Sequence, residues 1–171
     1  MKITMTLDSR SVERAIEAVK RYTEDVNRKT QELRKLVARN IAWSASEGFS
    51  TAVADDFVGE EMRMADVTVT VNDVGNISVI IASGKDAVFV EFGAGVSSNG
   101  GAGSSPHSKG EEMGYTIGGY GHGFGQNMIW GFTDESGHHV TRGTPARMPM
   151  FRGVEEASRT IYELAREVFR T

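Results

Sequence analysis

The fold class this sequence predicts is α+β: a long N-terminal helix and a C-terminal helix packed on an antiparallel β-sheet, with a long glycine-rich loop inserted. Three observations predict it. Apolar residues recur at three-and-four spacing towards both ends of the chain. Between them, over 64–95, apolar and polar residues alternate. Of 20 glycines, 14 fall between Gly93 and Gly137, so the excess belongs to one segment. At 171 residues the chain has the length of one domain, 1–171, with a single core.

A short strand-like start at Ile3–Leu7 leads to Asp8 or Ser9, either of which can cap a helix. Val12, Ile16, Val19, Tyr22, Val26, Leu33, Val37 and Ile41 then fall on one helical face, which predicts a helix over 8–47, on the order of 50 Å long at 1.5 Å per residue. Thr23–Glu32 is polar apart from Val26, so the middle of this helix crosses solvent, meets a partner subunit or breaks.

Residues 49–63 read as a connection. Val67, Val69 and Val71 alternate with Thr68, Thr70 and Asn72, the period of a strand with one buried face. Asn72–Asn76 supplies a turn, after which Ile77, Val79 and Ile81 point one way and Val88, Val90 and Phe92 resume the pattern. A β-meander over 64–95 follows. Residues 96–126 are too rich in glycine and serine to offset their chain entropy by burial, and read as a mobile loop. Trp130 and Phe132 restore order, and Asp134–Gly137 turns the chain into a hairpin over 127–142. Pro149 starts a closing helix over 149–170, with Met150, Val154, Ala157, Ile161, Leu164 and Val168 on the face expected to pack on the sheet.

Composition excludes several functions. The formal charge is −4 without a basic block, which argues against a phosphate-gripping surface and sequence-specific nucleic-acid binding. The absence of cysteine removes disulfides and thiolate ligands and fits folding in a reducing cytoplasm. No apolar window reaches the roughly 18 residues of a membrane span, and the N-terminus lacks the apolar stretch of a secretory signal.

Individual candidates read as structural. His138 and His139 are strand neighbours and face opposite sides, while His107 and His122 lie in the loop, so no metal-ligand spacing arises. Gly118–Gly125 matches neither phosphate-binding fingerprint. The pairs Asp55–Asp56, Glu60–Glu61, Glu111–Glu112 and Glu155–Glu156 are each adjacent in sequence and so diverge in space. With no GxSxG and no thiol, neither catalytic residue nor cofactor is assigned. Glu91 stands apart, a carboxylate inside an apolar run. It either faces solvent or, with Gly93 and Gly95 freeing the backbone beyond it, sits at a subunit contact and pairs with an arginine such as Arg147 or Arg152.

The run Ala87–Gly95 (AVFVEFGAG) and the stretch Thr144–Ala157 (TPARMPMFRGVEEA) carry a resemblance. An aromatic, valine, glutamate, aromatic, glycine sequence at Phe89–Gly93, followed by Pro145–Phe151 leading into the last helix, is similar to the phage morphogenesis proteins described as tail components or minor capsid proteins. Pro149–Met150–Phe151 stands where that family has Pro-Phe or Pro-Pro-Phe, and the insert is longer and richer in glycine. What the resemblance implies is a non-enzymatic neck or tail-completion protein in the virion of a long-tailed phage, assembled in the host bacterial cytoplasm. It would form a hexameric ring, built from a monomer or an oligomer in solution, that joins connector or head-closure proteins to a tail terminator or tail tube. Tail terminator and head-closure roles are alternatives within the class. The expected contact residues are Glu91, Gly93, Gly95, Arg147 and Arg152, together with Tyr115, Tyr120 and Phe124 of the loop. Two readings compete from other classes: a hydrolase using the histidines with Glu111–Glu112, and a small-ligand or peptide-binding module.

Overall fold

The computed structural model of the protein describes residues 8–55, 63–95, 130–135, 137–141, 143–144 and 146–170. Helix α1 runs unbroken over Ser9–Ser50, 42 residues and about 63 Å. The Asp8 carboxylate caps it by accepting from the Ser11 N–H at 2.9 Å. Its polar middle does not break because side chains bridge successive turns: Arg28 reaches Asp25 and Glu32, Lys29 reaches Asp25, and the Thr23 and Thr30 hydroxyls donate to carbonyls one turn back.

Two short strands follow, β1 (Val53–Asp55) and β2 (Arg63–Met64), paired antiparallel. The strands β3 (Thr68–Val74) and β4 (Ile77–Ser83) form a regular hairpin closed by Gly75 and Asn76, with Val74 opposite Ile77. This register sets Val71 opposite Ile80 and Val69 opposite Ala82, and it is these residues that turn inward against α1. Ile77, Val79 and Ile81 consequently share the outward face with Thr70 and Asn72. ISVIIAS is apolar on both faces, and only the pairing partner decides which is buried.

The segment expected as the third strand is a helix. In α2 (Ala87–Phe92) the local preference of valine and phenylalanine for strand is overridden by packing: Ala87, Val90 and Glu91, at helical i, i+3 and i+4 spacing, form its buried side. Beyond it β5 (Ala94–Gly95) pairs with β8 (Gly143–Thr144), and β6 (Trp130–Asp134) with β7 (Gly137–Thr141) in the expected second hairpin. The strands of the described residues thus pair two by two, and no single sheet spans them.

The closing helix α3 (Pro149–Phe169) lies antiparallel along α1, and near its start Met150 packs on the core cluster that Val69 and Ala82 of the hairpin also meet. Two glycines permit the close approach. A Cβ on Gly48 would lie 2.6 Å from the Pro149 Cβ, and one on Gly153 would lie 3.0 Å from the Ile41 carbonyl oxygen. Phe49, Ala52 and Val90 form the core, with Ala65, Val67, Val69, Ala82 and Met150 packed around them. It therefore sits where the end of α1, the hairpin, α2 and the start of α3 converge.

Candidate functional site

The convergence joins the two segments that carry the family resemblance, and its geometry starts at Asp86. That buried carboxylate accepts from both Arg63 Nη atoms at 2.9 Å and from the Asp66 N–H at 2.8 Å. Burial alone would raise its pKa; the Arg63 guanidinium and the Asp66 N–H outweigh that and hold it below the ordinary carboxylate value. Asp86 so fixes the start of α2.

Gly93 fixes its end. Its φ of 83° and ψ of 154° belong to a region only glycine occupies freely, and a Cβ there would stand 2.9 Å from the Ala146 nitrogen. The close approach lets 146–148 run past the last turn of α2. There the Arg147 N–H donates to the Val90 carbonyl at 2.9 Å and the Met148 N–H to the Glu91 carbonyl at 3.2 Å, satisfying two orphan acceptors of a helix C-terminus.

Satisfaction runs the other way too. The first turn of α3 begins at Met148, whose left-handed backbone (φ 51°, ψ 48°) offers no capping side chain. Pro149 has no N–H to satisfy. The next two N–H groups, of Met150 and Phe151, donate to the two Glu91 carboxylate oxygens at 2.9 and 3.0 Å, and the Arg152 N–H donates to the Met148 carbonyl at 2.9 Å. Every donor of the first turn is thereby accounted for. Glu91 also places negative charge at the positive end of the helix dipole. Burial pushes its carboxyl above the ordinary value, opposed by the Met150 and Phe151 N–H groups and by the charge of Arg152. Helices α2 and α3 cap each other, with Glu91 contributing both its carbonyl and its carboxylate.

Of the expected contact residues, the structure gathers Glu91, Gly93, Arg147 and Arg152 at this junction. Glu91 neither faces solvent nor forms an ion pair with an arginine among the described residues; the helix start occupies it instead. Arg147 turns to the end of α1, donating to the Thr51 carbonyl at 3.4 Å, and Arg152 is exposed. Gly95 pairs with Gly143 in the β5–β8 ladder, and the neighbouring Ala94–Thr144 pair ties the two resembling segments together a second time. Tyr115, Tyr120 and Phe124, like His107, His122 and Glu111–Glu112, lie outside the described residues. His138 and His139 do diverge, the former exposed beside the Thr133 hydroxyl at 3.2 Å and the latter half-buried.

Sequence reasoning missed the role of Glu91. Two signals pointed to it: the spacing Ala87, Val90, Glu91, and a proline-started helix whose preceding residue, Met148, cannot cap.

Around this small core much apolar surface remains open. Trp43 is 68% exposed, Tyr162 78%, and Val74 and Ile77 68% and 64%. Among the described residues no three histidine or carboxylate groups gather as a metal site, and no helix is long and apolar enough to cross a membrane. No family model matches the chain, and neither a curated protein nor a solved structure matches it.

Proposed function

We propose that the protein is a structural ring subunit of a long-tailed phage, acting at the neck as a tail-completion protein between connector and tail tube. The observation that carries the proposal is the disproportion between its core and its apolar surface. Among the described residues, Phe49 and Val90 are the largest fully buried side chains, while fifteen large hydrophobic residues are well exposed. A chain that leaves this much apolar surface in water gains by burying it against other subunits. The mutual caps of α2 and α3 add support: the segments that resemble the phage family form a rigid junction from which long elements project, as a subunit that braces its neighbours requires. Mild negative charge is compatible with a channel past which DNA moves.

Native mass spectrometry and electron microscopy of the purified protein, alone and with tail-tube protein, test the proposal. Rings, or incorporation at the end of a tube, are expected. A chain that stays monomeric and joins neither tube nor connector defeats it. The same mixtures separate the finer roles, since a tail terminator binds the tube end alone and a head-closure protein binds the connector alone.

A further inference from the structure

Two apolar faces are left largely open among the described residues, and they complement each other. The first is the outer face of the β3–β4 hairpin, made of Thr68, Thr70, Asn72 and Val74 on one strand and Ile77, Val79, Ile81 and Ser83 on the other. It carries no charged residue, whereas a sheet face kept in water is ordinarily polar. Val74, Ile77, Val79 and Ile81 are 68%, 64%, 43% and 39% exposed. The second is the N-terminal half of α1. Over Val12–Val26 the apolar residues, with Ile16, Val19 and Tyr22 at their centre, fall on one arc of about 160°, and all seven charged residues fall on the remainder. Ile16, Val19 and Tyr22 are 50–52% exposed. Among the described residues, the side-chain links of α1 to the hairpin and α3 are Gln31 to Asn76, Arg34 to Asp73 and Ser44 to Glu156.

We infer that the N-terminal half of α1 of one copy lies across the outer hairpin face of the next copy. The inference names the subunit contact of the ring proposed above and rests on that reading for the ring's biological place. The contact is between copies because the hairpin's inner face already packs on its own α1, so its outer face points away from that helix. The dimensions agree. Val12 to Val26 spans about 21 Å of helix and Thr68 to Val74 about 20 Å of strand. Each contact buries on the order of 400–500 Å² per partner, low beside the roughly 800 Å² per partner of a stable pair. Repeated head to tail, a helix face on a sheet face lets every subunit both give and receive, and in a closed ring each subunit's total reaches the stable range.

The chain has no cysteine, so single introduced thiols report cleanly. Full-length Val19→Cys and Val79→Cys are purified reduced, mixed, oxidised and resolved by intact mass, with Ile16→Cys and Ile81→Cys as an independent pair. All four sites are exposed, and far-UV circular dichroism verifies the fold. The mixture is expected to give the mixed disulfide dimer at least tenfold above the like-with-like dimers of either variant alone, and the double variant Val19→Cys/Val79→Cys a ladder of covalent oligomers. Like-with-like dimers in equal yield, or no mixed dimer from either pair at the highest soluble concentration, would overturn the contact. Tail-tube binding is scored separately: a ladder without tube binding keeps the contact and defeats the phage role, while tube binding with like-with-like bonds does the reverse.

Discussion

The Glu91 carboxylate accepts the Met150 N–H at 2.9 Å, so a residue of one helix supplies the cap of another 59 positions later. A second oxygen takes the Phe151 N–H. Replacement by alanine leaves both part-buried N–H groups without their acceptor, and Glu91→Ala is expected to cost about 2–3 kcal/mol in chemical denaturation. Glu91→Gln keeps one acceptor oxygen but sets an amide NH₂ against the other donor, at a cost of about 1–2 kcal/mol. Equal losses for the two variants would show that the carboxylate does not act as the cap.

Glu91 and Asp86 shift in opposite directions, which gives the junction opposed pH dependences. Burial, only partly offset by the Met150 and Phe151 N–H groups and Arg152, makes the folded chain hold the Glu91 proton above the ordinary value of 4.5. The stability this proton contributes is full below that value and lost as pH rises through the folded pKa. For Asp86, burial is outweighed by Arg63 and the Asp66 N–H, so its pKa lies below 3.8; its contribution is present above that value and lost as pH falls through the folded pKa. In thermal melts, the gap between the natural chain and Glu91→Gln should therefore narrow from acid to neutral pH. The gap to Asp86→Asn should narrow in the opposite direction.

Gly93→Ala combines a backbone region closed to alanine with a Cβ 2.9 Å from the Ala146 nitrogen. A loss of about 3 kcal/mol is expected, read as a lowered denaturation midpoint. A neutral result would mean that 146–148 can move away from α2 without cost.

The crossing of α1 and α3 makes a prediction whose sign is not obvious. Alanine is the better helix former by about 1 kcal/mol, yet a Cβ at Gly48 would stand 2.6 Å from the Cβ of the rigid Pro149 ring. Overpacking wins, and Gly48→Ala should be destabilising by about 1–2 kcal/mol net. A rise in melting temperature would overturn this.

The legible parts of the fold are those in which local pattern and tertiary packing agree. The three-and-four spacing from Val12 to Ile41, the cap at Asp8 and the proline at Pro149 placed both long helices, and the alternation of Val67, Val69 and Val71 identified the inward side of β3. AVFVEF failed because its side-chain alternation and its β-branched residues both favour strand, while the deciding facts, an aspartate held by Arg63 at one end and a glycine pressed on Ala146 at the other, are long-range. The face of β4 failed for a different reason: Ile77, Val79 and Ile81 are as apolar as Ile80 and Ala82, so periodicity cannot choose. Gly93 and Glu91 were singled out as special, but the partners that make them so, Ala146 and the Met150 and Phe151 N–H groups, lie more than fifty residues away.

Helix α1 is anchored at its Phe49 end, in the core beside the Glu91 junction, and runs about 63 Å without a break to Ser9. The closing helix and the hairpin hold it as far as Gln31, and the stretch before that, Ser9 to Thr30, projects beyond those links as an arm about 33 Å long. A tilt of about 5° where the arm leaves the hairpin sweeps its tip through about 3 Å. Small adjustments of the hairpin are thus enlarged at the far end of the helix.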